Sequence, residues 1–353
     1  MAYGQILGQA QGGDIESIAR IINAGWVRIA KWETAGNYSW EAPDLFGGKP
    51  YQIGVVAIGG GGSGGAIAWK KIDYETERVC FSSGGASGYL KTRTLYTNPK
   101  EAFNLKIGKG GEPVSVTATQ GTQETIGTNG ELSYFKSATV QLNAQGGEHG
   151  YFNYDYFDDM SYSDAHFARG GFGGQPSGAV IVYENNLDDT NILSNCDANC
   201  CGTLVICNIE FKSLKNEMFG EDFRKVANKL SFALPEESMN GVNYNCYNPF
   251  TGLYMLGAGG GAVGIYDINS YAGKEINFYD EQGNICHGGG GVADIANYTE
   301  TAIAKNGVGA GCGGGGCVKN GRSLDQYTAT SGAGADGAVY IYARGIDPDK
   351  YAV

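Results

Sequence analysis

Glycine accounts for 59 of the 353 residues, a large excess over its usual share of about 7%, while hydrophobic residues still make up 42% and aromatics 12%. That much apolar surface can build a core, and clumped glycines with only 8 prolines exclude both a collagen helix and wholesale disorder. With 25 basic against 37 acidic residues the net charge is −12, which repels phosphate backbones, so nucleic acid is not an expected partner.

In chain order, residues 14–25 place Ile15, Ile18, Ala19 and Ile22 on one helical face behind Asp14, which predicts a short N-terminal helix. The first residues carry neither a basic segment nor a long apolar run, and apolar runs such as 55–58 are short, so neither a secretion signal nor a membrane span is expected. Residues 27–32 alternate like a half-buried strand, and a second aromatic pulse follows at Tyr38 and Trp40. From Tyr51 a strand-like run enters Gly59-Gly60-Gly61-Gly62-Ser63-Gly64-Gly65 with no polar spacer. Flexible linkers have polar flanks, so this junction predicts ordered glycine. Ordering a backbone costs on the order of 1–2 kcal/mol per residue, most for glycine. The compensation expected is a lattice of polyproline-II-like segments that approach closely enough to hydrogen-bond through their backbones.

The pattern repeats. Residues 55–65 are similar to 253–264, each a strand feeding a glycine run, and 173–183 are similar to 332–342, each ending in a β-rich strand. Between them, 203–211 predicts a strand, and Phe219, Phe223, Val226, Ala227 and Leu230 predict a helix. The expected organisation is an N-terminal helix and attachment strands over 1–50, a glycine-rich unit with a Tyr-rich loop over 51–183, a β–α insertion over 184–250, and a second glycine-rich unit with closing strand and tail over 251–353. The fold class expected is mainly β with polyproline-II-like scaffold segments, a small α/β insertion and a short N-terminal helix.

The aromatic strand at 38–43, the strand into polyglycine at 53–65, the Phe-Asn-Leu-Lys-Ile-Gly-Lys-Gly-Gly segment at 103–111 and the closing Gly-Ala-Asp-Gly-Ala-Val-Tyr-Ile-Tyr at 334–342 together resemble the glycine-rich domain of tailed-bacteriophage tail fibres and tail-tip adhesins. The resemblance implies a rigid scaffold whose loops contact the host surface. It implies a virion protein of the tail fibre or baseplate, made in the host cytoplasm and joined to other virion proteins through its N-terminal segment. A homo-oligomer that binds a host cell-surface glycan or protein is expected. The alternatives are a capsid or tail decoration protein without receptor contact, and a polysaccharide depolymerase. This chain departs from the pattern in its long insertions and its cysteine-bearing β–α segment.

Residues 151–164 hold six aromatics and four aspartates. Tyr151, Phe152, Tyr154, Asp155, Tyr156, Phe157 and Tyr162 are the candidate binding residues, because tyrosine offers a large amphipathic contact at low entropy cost. The competing readings are a core or intersubunit strand hairpin and a cation site built from Asp155, Asp158, Asp159 and Asp164, whose spacing lacks the calcium-loop pattern. Cys196, Cys200, Cys201, Cys207 and Cys246 are close in sequence, but zinc spacing is absent, so inert thiols are expected. Cys312 and Cys317 flank a glycine run that a disulfide would clip. Gly309 to Gly314 match G-x-G-x-x-G without a following helix, which excludes dinucleotide binding. No catalytic residue, metal site or cofactor is expected.

Overall fold

The computed structural model describes residues 25–71, 78–156, 249–251, 254–261, 263–266, 269–272, 275, 278–279, 283–346 and 348–351, together with the strands His166–Ala168, Ala179–Tyr183, Thr203–Cys207 and Asn243–Tyr247. The expected N-terminal helix, and the helix of the 184–250 insertion, lie outside the described residues.

Two antiparallel four-stranded sheets form one end of the molecule. Sheet I runs in the order Trp26–Trp32, Ala338–Arg344, Tyr51–Ile58, Leu90–Thr97, and sheet II in the order Gln141–Ala144, Ser133–Lys136, Ala102–Ile107, Gly36–Glu41. Their facing sides interdigitate. Tyr51, Ile53, Val55 and Ala57 point between the sheets and meet Phe103, Leu105, Ile107 and Phe135, all buried, with the Phe103 and Phe135 rings stacked 4.6 Å apart. Val56 and Ile58 fall on the opposite side, where Phe250, Tyr340 and Tyr342 cover them. Burial on both faces explains why this strand reads as unbroken apolar sequence rather than alternation. At Gly54 the cover is so close that a β-carbon would lie 2.5 Å from the Phe250 ring.

Three further sheets make the other end. Sheet III consists of Val292–Asp294, Cys317–Gly321, Ala66–Lys70 and Gly121–Thr125, sheet IV of Phe152–Tyr156, Arg78–Ser82, Val263–Tyr266 and Asn269–Ala272, and sheet V of Thr301–Ile303, Tyr327–Thr330 and Ser115–Ala118. Sheet III is the middle layer. Its small residues Ala66, Ala68 and Cys317 pack on Ala118, Ala302 and Ala329 of sheet V and its neighbouring loop residue Ala304, while Ile67, Trp69 and Val318 pack on Cys80, Val263 and Ile265 of sheet IV.

The two ends are joined by glycine-rich crossings of equal length. Residues 59–65, 83–89, 108–114, 126–132, 145–151 and 331–337 each run between a strand of sheets I or II and a strand of sheets III, IV or V, and each is seven residues long. At about 3.1 Å per residue such a crossing spans roughly 20 Å. The segment 59–65 is central. Its backbone donates with a period of three: Gly59, Gly62 and Gly65 to Tyr89, Ala86 and Ser83; Gly60 and Ser63 to Glu131 and Thr128; Gly61 and Gly64 to Ala335 and Gly332, all at 2.8–3.1 Å. It accepts from three more segments, through Gly147 and Gly150, through Gly111, and through Gly314 and Cys317. The donors face antiparallel neighbours and the acceptors face parallel ones, so one strand of glycine has six neighbours and satisfies nearly every peptide group.

None of the glycines at 59–65 has a positive φ. They are required because nothing larger fits: a β-carbon at Gly60 would sit 2.2 Å from the Lys109 carbonyl oxygen, and one at Gly61 would sit 2.1 Å from that of Cys312. Strands from both glycine-rich stretches share sheets, for Ala338–Arg344 pairs with Tyr51–Ile58 and Cys317–Gly321 pairs with Ala66–Lys70.

Candidate binding surface and its scaffold

The Tyr-rich segment leaves the lattice at a fixed point. Gly147 and Gly150 donate to the carbonyls of Gly60 and Ser63 at 2.8 Å, which ties residues 145–150 to the central glycine segment. Tyr151 follows at once. Its amide donates to Ser83 Oγ at 2.7 Å, its ring packs 4.5 Å from that of His149, and its hydroxyl bonds the Glu148 carboxylate. Phe152 is half-buried against the cluster of Ile67, Trp69, Val263 and Val318.

Where composition suggests a loop, residues Phe152–Tyr156 form a strand paired antiparallel with Arg78–Ser82. The physical reason was in the sequence: aromatics at 152, 154 and 156 alternate with Asn153 and Asp155, the period of a strand. Of the candidate binding residues, Tyr151 and Phe152 are tied into the scaffold, and Tyr154, Asp155 and Tyr156 continue the strand. Phe157 and Tyr162 lie outside the described residues, as do Asp158, Asp159 and Asp164 of the alternative cation site.

Two further polar groups hold the scaffold together. Asp336, in the closing motif, accepts from Gly110 at 2.9 Å and from Ala35 at 2.8 Å, pinning a lattice crossing to the turn before sheet II. Lys319 is fully buried, and its ammonium donates to Asp294 at 3.0 Å, the Ala296 carbonyl at 2.7 Å and Thr299 at 3.0 Å. Burial alone would raise the Asp294 carboxyl, but hydrogen bonds from the Ala296 amide, Thr299 and Lys319 outweigh it and hold that group below its usual range. This cage is not legible in the sequence, because the partners lie twenty to twenty-five residues from the lysine.

Cys80, Cys286, Cys312 and Cys317 are buried thiols, so the glycine run between Cys312 and Cys317 is not clipped by a disulfide. Burial pushes the Cys317 thiol up to about 12, which makes it inert at neutral pH. Cys196, Cys200 and Cys201 lie outside the described residues, and Cys207 and Cys246 stand on described strands. Among the described residues no cluster of His, Cys, Asp or Glu is arranged to hold a metal ion. No described helix is long and apolar enough to cross a membrane.

A buried lattice of glycine crossings capped by β-sheets is matched at the level of sequence by the family model for the glycine-rich domain, which aligns with residues 33–344. The chain belongs to the glycine-rich domain family. No curated protein matches it. The match begins just before the strand Gly36–Glu41 and ends with Ala338–Arg344, so this glycine-rich domain takes in all six equal crossings and every strand of sheets I to V except the outer strand Trp26–Trp32.

Proposed function

We propose that this glycine-rich domain protein is a tail-fibre or baseplate component of a tailed bacteriophage virion that attaches to the host surface through segments carried on a rigid scaffold. The observation that supports this reading is the polarity of the molecule. Trp26 pairs with Arg344, at the end of sheet I remote from the lattice, so the chain before residue 26 joins the molecule at that tip. The strand Phe152–Tyr156 starts at the lattice and runs outward in sheet IV, so positions 154–156 of the Tyr-rich segment lie toward the opposite end. This polarity supports a reading in which one end serves assembly through the N-terminal segment and the other contacts a host glycan or protein, with a stiff spacer between them.

Contact would come from aromatic rings beside carboxylates, a combination suited to sugar faces and to polar or cationic protein patches. Recognition of this kind is binding, not catalysis. Tyr154→Ala with Tyr156→Ala tests it, since each ring contributes on the order of 0.5–1.5 kcal/mol beyond area burial and multivalent display multiplies the loss. Position 154 shares the sheet face of Phe152 and Cys80, so Asp155→Ala on the opposite face is the second variant; the expected outcome for each, once circular dichroism shows it folded, is a protein that no longer slows phage adsorption when added to host cells as a competitor. Undiminished competition by the double variant would remove the Tyr-rich segment from the contact.

A further inference from the structure

The outer face of sheet II has a composition unlike the rest of the molecule. With Tyr38, Trp40, Phe103, Leu105, Phe135 and Leu142 turned into the sandwich, the alternate positions face solvent. Register places Asn37, Lys106, Tyr134 and Asn143 in one cross-strand row and Ser39, Asn104, Lys136 and Gln141 in the next. These are amides, hydroxyls and two lysines on a sheet, all but Lys106 and Tyr134 well exposed, and the next row adds one exposed carboxylate, Glu41 opposite Ala102, on the strand at the other edge of the sheet from Gln141. None of the exposed large hydrophobic side chains belongs to this sheet. The apolar anchor that a protein–protein interface needs is missing.

Charge singles out one edge of the face. Lys106 is neutralised by Glu131 at 2.9 Å, but Lys136 meets no carboxylate among the described residues, and its ammonium lies 4.5 Å from the centre of the Tyr134 ring. Arg93 reaches across from sheet I and donates to the Gln141 carbonyl at 3.3 Å, and Lys91 follows two residues before it on the same strand. Neither has a carboxylate partner among the described residues. Among the described residues, a chain of net charge −12 therefore carries a basic strip without carboxylate partners beside a row of amides.

We propose that this face is a binding site for an acidic polysaccharide. Asn and Gln each present a donor and an acceptor, as vicinal sugar hydroxyls do, and Tyr134 supplies a ring. Lys136 and Arg93 pair with carboxylates of the polymer. Two or three cations suit a polymer with a charge on each sugar, whereas duplex nucleic acid carries one charge per about 1.7 Å and would be repelled by the acidic remainder of the protein. The site lies on the opposite end of the molecule from the Tyr-rich strand and does not depend on it.

The test uses the full chain and immobilised polygalacturonate, with neutral dextran and oligothymidylate as comparators. Expected is binding to polygalacturonate alone, weakened about tenfold when salt rises from about 20 to about 200 mM. Arg93→Ala with Lys136→Ala should weaken it by a further factor of about ten at low salt, and Asn104→Ala by a few-fold, with melting temperatures unchanged because these side chains are at the surface. No binding by the native chain, equal binding to dextran, tighter binding to oligothymidylate, or full binding by the double variant each overturns the proposal. Tyr154→Ala with Tyr156→Ala should leave polygalacturonate binding intact, which separates this site from host attachment through the Tyr-rich segment.

Discussion

Lys319 shows what a single residue does inside this scaffold. Its ammonium is saturated by three acceptors and the Asp294 carboxylate is a quarter exposed, so the two partners are not equivalent. Asp294→Asn leaves a fully buried cation without a counter-charge and should destabilise by about 3–5 kcal/mol. Lys319→Met should cost less, because Asp294 keeps the Ala296 amide and Thr299 and can be hydrated. Because the carboxyl is held below its ordinary value in the folded state, its contribution is fully present above the ordinary unfolded pKa and disappears as pH falls through the lower folded one. Urea midpoints measured from pH 7 down to pH 2 should therefore fall for the native chain, and part of that fall should be missing in Asp294→Asn.

At the scale of elements, the seven-residue crossing is the unit that matters. Hydrogen bonds from 59–65 recur every third residue to each neighbour, so the segment is in register with six others at once. Inserting one glycine between Gly62 and Ser63 would rotate everything after it by a third of a turn and move each donor to the wrong neighbour. A linker would tolerate the insertion with a penalty well under 1 kcal/mol. Here the expected result is loss of the folded state, or a melting temperature lowered by more than about 10 °C. Hydrogen exchange gives the same answer in the native chain: amides at 59–65 should exchange as slowly as those of Tyr51–Ile58. A stable insertion variant with fast exchange across the run would show the crossings to be tethers.

For the whole molecule, the closing strand Ala338–Arg344 is structural. Ala338–Arg344 lies between Trp26–Trp32 and Tyr51–Ile58, with Val339 and Ile341 on one face and Tyr340 and Tyr342 on the other, all buried. Ending the chain at Gly337 deletes this inner strand and uncovers both clusters. Such a truncation should yield no soluble, folded protein, whereas ending it at Tyr351 should leave the sheet content and the melting temperature unchanged, by circular dichroism and size-exclusion chromatography. A folded chain ending at Gly337 would mean that the two ends of the molecule are energetically independent.

The sequence by itself determined the strands, because alternation and apolar runs are local signals: Tyr51–Ile58, Ala102–Ile107 and Ala338–Arg344 are all legible from their own residues. It also determined that the glycines are ordered, since a buried strand flows into them without a polar flank. Tertiary structure alone decided which segments are neighbours. Glycine carries no side chain to encode a partner, so the six neighbours of 59–65, drawn from positions up to 335, follow only from the equal lengths of the crossings and the strands that anchor them. The same holds for the two proposed binding surfaces. The aromatic alternation at 152–156 was in the sequence, but its placement at the end opposite Trp26 was not, and the basic strip of Lys91, Arg93 and Lys136 exists only because two sheets bring separate strands to one edge.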